Sequence, residues 1–171
     1  DVIDQMKSVY FYGDITSIGK NAFAGSESLE FVDVDEKIQF IGEDAFAKFI
    51  NLTSIALSDS VVEIDVNALN GDKLLEIIVD EDNSRFCDEN GVLYNKSKTS
   101  LICVPRKMEG AFVIPDGVKI IGEKALYCCS NLTDIKIPNS VTDIESYAFA
   151  GCSVDELIIP EGVKEIKAGV F

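Results

Sequence analysis

The apolar positions of this chain return with a period of about 23 residues from one end to the other. Within each unit they stand at positions 1, 4, 6, 10 and 13, an Ala-Phe pair follows at 17 and 18, and a small residue often stands at 21. The units begin near Met6, Leu29, Leu52, Leu74, Glu109, Leu132 and Val154. A unit this short cannot bury its own apolar side, so the repetition predicts a stacked array in which neighbouring units share a core.

The spacing inside each unit predicts two short extended segments and a turn. Positions 4 and 6 differ by two, which is the period of a β-strand, and the residues there are mostly β-branched. A second extended segment follows at positions 10 and 13. The Ala-Phe stretch is expected to fold back as a turn or a single helical turn. We therefore predict a strand-dominated solenoid.

The pattern breaks once, over about residues 81–108. Inside this break, the apolar runs Gly91–Tyr94 and Ser100–Val104 flank a polar stretch, an order that predicts a β-hairpin. One interpretation is that the hairpin replaces the second segment of the fourth unit. The other is that it protrudes and shapes a ligand site, because insertions in repeat proteins often mark the binding face.

The most regular unit is LTDIKIPNSVTDIESYAFAGC, residues 132–152, and it resembles the BspA-like leucine-rich repeat, also called the Treponema pallidum type. The resemblance extends from Met6 to Phe171. It implies a right-handed leucine-rich-repeat solenoid of about seven rungs, α/β by convention, with a β-hairpin insertion, in a single domain over residues 1–171. It also implies that the first strands form a concave sheet, and that the protein is exposed at the cell surface or secreted.

Charge and composition disfavour some classes of partner. The net charge is −15, from 30 acidic and 15 basic residues, so we expect repulsion of nucleic acid and of anionic lipid. The apolar runs are too short for membrane insertion. The first residues, DVIDQMKSVY, have no signal-peptide pattern, so we expect a mature form or a fragment without its targeting signal.

Candidate chemistry is sparse. The sequence has no histidine and no phosphate-binding glycine motif, so we expect neither an enzyme nor a cofactor. The acidic run Asp80, Glu81 and Asp82 is a calcium candidate, although a solvated acidic loop is the favoured interpretation. The five cysteines are expected to be reduced, with Cys129 and Cys152 stacked in one column of the repeat.

Candidate binding residues occupy positions 2, 3 and 5, which point away from the core of a first strand. Two groups are expected on this surface. The first group is aromatic and consists of Tyr10, Phe31 and nearby Tyr12 at the N-terminal end, and the second is apolar and consists of Leu75, Ile78 and Val113 near the hairpin. Asp33 is a further ligand-binding candidate. Exposed aromatic and apolar side chains are typical recognition anchors, unless the hairpin or a neighbouring repeat covers them.

By the resemblance, we expect a non-catalytic binding or adhesion module of the cell surface. Its partner would be a host or neighbouring-cell protein or glycan, held on the concave sheet. The alternative is a structural stalk or spacer of a larger surface protein, packed against further repeats of the same chain. A carbohydrate-processing domain is the least favoured hypothesis.

Overall fold

The computed structural model describes residues 7–11, 13–24, 26–34, 36–46 and 51–171. This described part consists of short strands joined by turns and contains no helix. Its strands are β1 (Ser8–Val9), β2 (Ser17–Ile18), β3 (Phe31–Val34), β4 (Phe40–Ile41), β5 (Ser54–Leu57), β6 (Glu63–Ile64), β7 (Glu76–Val79), β8 (Phe86–Glu89), β9 (Val92–Asn95), β10 (Ser100–Cys103), β11 (Gly110–Val113), β12 (Ile120–Ile121), β13 (Leu132–Lys136) and β14 (Asp143–Ile144). The predicted strand-dominated architecture is confirmed.

The first strands of the first four repeats form one parallel sheet in the order β1-β3-β5-β7. Phe31 pairs with Ser8 on one side and with Ser54 on the other, so each partner lies one repeat away. Parallel neighbours need a crossover connection, and the second strand and the turn of each repeat supply it. The chain therefore coils one rung at a time, as the period predicts.

The second strands form a separate ladder, β2-β4-β6, and a turn follows each of them. Within the turns the Phe23 N–H donates to the Ala45 carbonyl at 3.0 Å, and the Phe46 N–H donates to the Ala68 carbonyl at 3.1 Å. The residue before the Ala-Phe pair has a left-handed backbone in several repeats, for example φ 54° at Asp44. This backbone reverses the chain tightly, so the Ala-Phe stretch is a turn rather than a helical turn.

The apolar columns of the repeat form the core. Where position 1 is a leucine it is almost fully buried, and Leu29, Leu52 and Leu74 are each at most 2% exposed. Burying one such side chain stabilises the fold by about 1.5–3 kcal/mol relative to leaving it in water. The buried residues separate into two cores, one under the first four repeats and one under the later repeats, and they meet at β9.

The break in the pattern is an insertion, residues 80–99, between β7 and β10. It contains β8 and β9, which form an antiparallel meander with β10, in which Cys87 pairs with Tyr94 and Tyr94 pairs with Leu101. The predicted hairpin of β9 and β10 is confirmed. Strand β8 was not predicted, although Asn90-Gly91 between β8 and β9 is a strong hairpin signal, and both residues have positive φ.

Strand β9 lies between the two cores and packs against both. Val92, Leu93 and Tyr94 are each at most 1% exposed. Leu93 belongs to the first core, whereas Val92 and Tyr94 belong to the second. Successive strand residues point to opposite sides, which explains this division.

Strand β10 completes the fourth rung. Leu101 pairs in parallel with Ile121, and the Val104 N–H donates to the Ala125 carbonyl at 2.7 Å, as a Phe N–H does in a regular turn. The structure thus supports the first interpretation of the hairpin, which is replacement of the second segment of the fourth repeat. On the opposite side, the first sheet is interrupted: the Ile77 N–H donates to the Gly91 carbonyl at 2.9 Å, and β11 pairs only with β13.

The seventh repeat stacks on the sixth through its turn, where the Phe149 N–H donates to the Val170 carbonyl at 2.8 Å. Its apolar residues Leu157, Ile159 and Val163 are partly buried against the second core. None of its residues forms a strand. In the described residues there is no helix long and apolar enough to span a membrane.

Candidate functional site

The outward residues of β1, β3, β5, β7, β11 and β13 form one surface, here called the first-strand face. Tyr10, Phe31, Leu75, Ile78 and Val113 keep between 41% and 68% of their accessible surface. Asp33 is exposed as well. Tyr12, the remaining sequence-derived candidate, lies outside the described residues, as does Met6.

The structure brings two of the candidates, Tyr10 and Asp33, into one groove but does not bring Phe31 there. Tyr10 and Asp33 line an open groove of about 610 Å³, here called the N-terminal groove, at the carboxyl ends of the first strands. Ile78, expected in the second group, lines the same groove. Phe31 stands elsewhere, because its position in the repeat places it beside Ser8 and Ser54 on the sheet, two residues before Asp33.

The N-terminal groove follows from one column of the repeat. Position 5 holds Tyr10, Asp33, Ala56 and Ile78 in successive rungs. Ala56 has the smallest side chain, and it lies directly between Asp33 and Ile78 in the ladder. Side chains in successive strands stand about 4.8 Å apart, so a short residue flanked by longer ones leaves a notch in the sheet surface.

The second candidate group is divided by the insertion. Val113 lines a different groove of about 410 Å³, formed with Glu89, Asn90 and Tyr94 of the insertion. Leu75 lies beside the β8–β9 turn, because a Cβ built on Gly91 would stand 2.9 Å from the Glu76 Cβ and 3.6 Å from the Leu75 carbonyl oxygen. Ile78 and Val113 are therefore on opposite sides of that turn, although the spacing of the repeat suggests that they are neighbours.

Comparison with known families identifies the repeat. A model of the BspA-type leucine-rich repeat region matches residues 3–109 and 107–171, in six copies. The chain belongs to the BspA-type leucine-rich repeat family. This match spans the insertion as well as the regular units, in agreement with a fourth rung that the insertion interrupts and β10 completes.

Solved structures share the fold. A leucine-rich cell surface protein from Faecalibacterium prausnitzii matches with a TM-score of 0.82 and 28% identity, over 98% of this chain and 45% of that protein. A leucine-rich repeat protein from Eubacterium ventriosum matches with a TM-score of 0.65 and 26% identity, over 94% of this chain and 56% of that protein. This BspA-type chain thus spans about half the length of these structures.

A third similar structure is the pneumococcal vaccine antigen PcpA, with a TM-score of 0.71, over 94% of this chain and 56% of that protein. Its identity of 21% makes it a likeness of fold alone. No curated protein matches the chain.

The acidic run of this BspA-type chain begins the insertion. Asp80 uses one carboxylate oxygen to accept the backbone N–H of Asp82 at 2.8 Å, and the Glu81 carbonyl accepts Lys96 Nζ at 2.8 Å. Within the described residues, no three acidic or cysteine side chains converge in a way that could hold a metal ion. The calcium candidate therefore gains no support from the geometry.

The next residue, Asn83, has a structural role that the sequence did not predict. Its side chain is fully buried, and its Nδ2 donates to the carbonyls of Ser58 and Val61 at 2.8 and 3.0 Å. Its Oδ1 accepts the N–H groups of Arg85 and Phe86, both at 2.8 Å. Asn83 thus joins the insertion to the third repeat. The signal in the sequence is only that the acidic run ends in an amide.

All five cysteines of the chain are free thiols in the structure. Burial raises the pKa of Cys103 to about 12 and that of Cys152 to about 11, and it raises the pKa of Cys129 further. The Cys129 and Cys152 thiols donate to the carbonyls of Val104 and Leu126 at 3.5 and 3.2 Å. These thiols behave as small buried side chains of the second core.

Proposed function

We propose that this chain is a non-catalytic binding module of a bacterial surface protein, and that the first-strand face is its recognition surface. The partner is a protein or glycan of a host or of a neighbouring cell. The family membership supports this proposal, as does the similarity to a Faecalibacterium prausnitzii protein described as a cell surface protein.

The observation that carries the proposal is the set of exposed apolar side chains on the first-strand face. Tyr10, Phe31 and Ile78 each keep more than 40% of their accessible surface. Phe31 and Ile78 lie on β3 and β7, whose alternate residues are buried, and Tyr10 directly follows β1. Covering such side chains with a partner removes apolar area from water, and aromatic anchors are frequent energetic centres of interfaces. Because rigid strands hold them in place, little conformational entropy is lost on binding.

The same geometry disfavours catalysis. Without histidine, acid–base work would fall to carboxylates or thiols. The acidic side chains that line the N-terminal groove are exposed, and carboxylates tuned for catalysis are usually partly buried. Burial raises the pKa of the Cys103 thiol to about 12, so hardly any of it is the nucleophilic thiolate at neutral pH.

A binding screen against extracellular matrix proteins and glycans tests the proposal. Any partner found should lose most of its affinity for a variant carrying Tyr10→Ala, Phe31→Ala and Ile78→Ala. The matched control carries Phe40→Ala and Ile120→Ala, since these residues are similarly exposed but belong to the second strands. Equal loss in both variants, or loss in the control alone, would show that the first-strand face is not the recognition surface.

The alternative function is a spacer that holds another part of a larger surface protein. Two contacts across the insertion favour it, because they fix the two cores relative to each other. Arg106 Nη1 donates to Asp72 at 2.6 Å with its guanidinium 5.2 Å from the Tyr127 ring centroid, and Lys124 Nζ donates to Asn67 at 2.6 Å. If no first-strand-face substitution alters any interaction of the intact protein, the spacer is the better account.

A further inference from the structure

The N-terminal groove has a distinct chemical character. Three of its lining residues are acidic and exposed: Asp33, Glu36 and Asp80. Tyr10 and Ile78 add an aromatic and an aliphatic wall. Neither a lysine nor an arginine is among the described residues that line it.

Two lysines that lie beside lining residues of this groove, Lys37 and Lys96, are engaged elsewhere. Lys37 follows Glu36 directly, but its Nζ donates to Asp14 Oδ1 at 2.9 Å and to the Gly13 carbonyl at 3.0 Å. Lys96 donates to the Glu81 carbonyl, one residue past Asp80. The described residues that line the groove thus offer no cation to its three carboxylates, which are exposed and can pair with an external positive charge.

The dimensions suit an elongated side chain. Asp33 and Ile78 lie two strands apart, which corresponds to about 10 Å, and Ala56 forms the floor between them. The aliphatic stem of a lysine or arginine can lie along Ala56 and Ile78 while its charged end reaches the carboxylates. The Tyr10 ring, which is largely exposed, offers a face for a cation–π contact.

The corresponding place in the later repeats differs. There, position 5 is Lys136, and it lines a groove with Asp134, Glu156 and Ile158. A cationic ligand would meet a positive charge at that position. The two grooves therefore differ in charge pattern, although the same column of the repeat builds both.

We propose that the N-terminal groove binds a lysine- or arginine-bearing peptide segment of the partner. This inference rests on the proposed function and names the partner's chemistry at one part of the first-strand face. A peptide is favoured over nucleic acid, whose phosphates the three carboxylates repel, and over a neutral glycan, which has no charge for them to pair with. The cationic side chain enters at the Ala56 notch and pairs with Asp33 and Asp80.

Titration of a fluorescently labelled hexalysine peptide, followed by anisotropy at physiological salt, tests the groove. Ala56→Phe fills the notch, and its matched control is Ala111→Phe, another alanine on the outer side of a first strand. The groove variant should lose affinity at least about tenfold, because the notch that admits the cationic side chain is closed. The control should bind as the unaltered protein does.

Charge variants distinguish binding at the groove from general attraction to the negative charge of the chain. Asp33→Asn, Glu36→Gln and Asp80→Asn together remove three charges from the groove. Asp155→Asn, Glu161→Gln and Glu165→Gln together remove three exposed charges from the seventh repeat. The groove set should weaken hexalysine binding by about tenfold, since each exposed ion pair contributes modestly. Equal weakening by both sets would mean general charge attraction and would overturn the inference.

The outcomes also distinguish this inference from the proposed function. If a partner from the screen binds through Phe31 and is unaffected by Ala56→Phe and by the groove charge set, the proposed function stands and the peptide inference fails. If neither hexalysine nor any screened partner binds, both fail. Thermal unfolding of each variant confirms that it is folded, and Ala56→Ser, which leaves the notch open, should retain binding.

Discussion

The first three repeats and the insertion bury short strands in different ways. In β3, residues alternate between exposed and buried, so the strand contributes to one core and leaves one side to solvent. In β9, Val92, Leu93 and Tyr94 are all buried, because a core lies on each side. A repeat strand therefore leaves one side accessible to solvent, whereas β9 is packed on both sides.

The two regions also differ in how polar groups are satisfied. In the repeats, backbone groups bond mainly to the backbone of the next rung, with a few side-chain bonds such as that from Ser60 Oγ to the Ile38 carbonyl at 2.8 Å. In the insertion, side chains form several of the hydrogen bonds that satisfy backbone groups. Asn83 bonds to four backbone groups, and Asp88 accepts the Val79 N–H at 2.9 Å. The insertion should therefore be far more sensitive to polar substitution than the repeats.

The largest effect is expected from Asn83→Ala. This change leaves the Ser58 and Val61 carbonyls and two N–H groups without their partner, and we expect a loss of about 3 kcal/mol in the free energy of unfolding. Asn139→Ala, at an exposed asparagine in a regular repeat, should cost less than about 0.5 kcal/mol. Urea denaturation measures both. Similar costs at the two sites would mean that the insertion is no more sensitive to polar substitution than the repeats.

A smaller effect is expected from Gly91→Ala. Gly91 has φ +78°, and a Cβ there would stand 2.9 Å from the Glu76 Cβ. Gly110, with φ +81°, has no atom within 4 Å of such a Cβ, so Gly110→Ala carries the backbone strain without the clash. We expect Gly91→Ala to be about 1–2 kcal/mol more destabilising than Gly110→Ala in the same denaturation experiment. Equal costs would mean that the turn does not press against β7.

The smallest effect concerns pH. Every cysteine lies at or after residue 87. Cys103 packs against the first core and Cys129 lies in the second, so thiol titration affects both cores. Burial raises the pKa of Cys103 from an ordinary value of 9.0 to about 12. Below about pH 9 the thiol is protonated in both states. Above it, the unfolded thiol ionises first, so stability falls as the pH rises towards 12.

Cys103→Val should remove about 1 kcal/mol of the stability loss between pH 8 and pH 10, measured by denaturation at each pH. Cys103→Ser should flatten the profile similarly, although it lowers stability at every pH, and it thereby separates titration from packing. An unchanged slope in both variants would show that Cys103 contributes nothing to the alkaline loss.

Much of the fold was predictable from the sequence because the repeat imposes the same burial on the same columns. The columns at positions 1 and 4, such as Leu52 and Ile55, are buried as expected, and the hairpin of β9 and β10 lies where the pattern breaks. Strand β8 was missed, since Phe86–Glu89 has little apolar alternation and forms only by pairing with β9. Asn83 was missed because nothing local distinguishes a buried amide from a solvated one.

The sequence predicted which candidate residues are exposed, but not which of them share a groove. The outward direction of Tyr10, Phe31, Leu75, Ile78 and Val113 follows from the two-residue strand period, and all five are exposed. The strand period does not predict which of these residues are adjacent in the folded structure. Ile78 joins Tyr10 and Asp33 in the N-terminal groove, and the insertion separates it from Val113.

By itself, the sequence determined the repeat, the columns that are buried and the direction of the remaining side chains, because these depend on spacing within a single unit. Only the tertiary structure decided which outward residues share a groove, and that β9 separates two hydrophobic cores. Those properties depend on contacts between distant segments: the closing of the fourth rung by β10, the close approach of Gly91 to β7, and the hydrogen bonds of Asn83 to the third repeat.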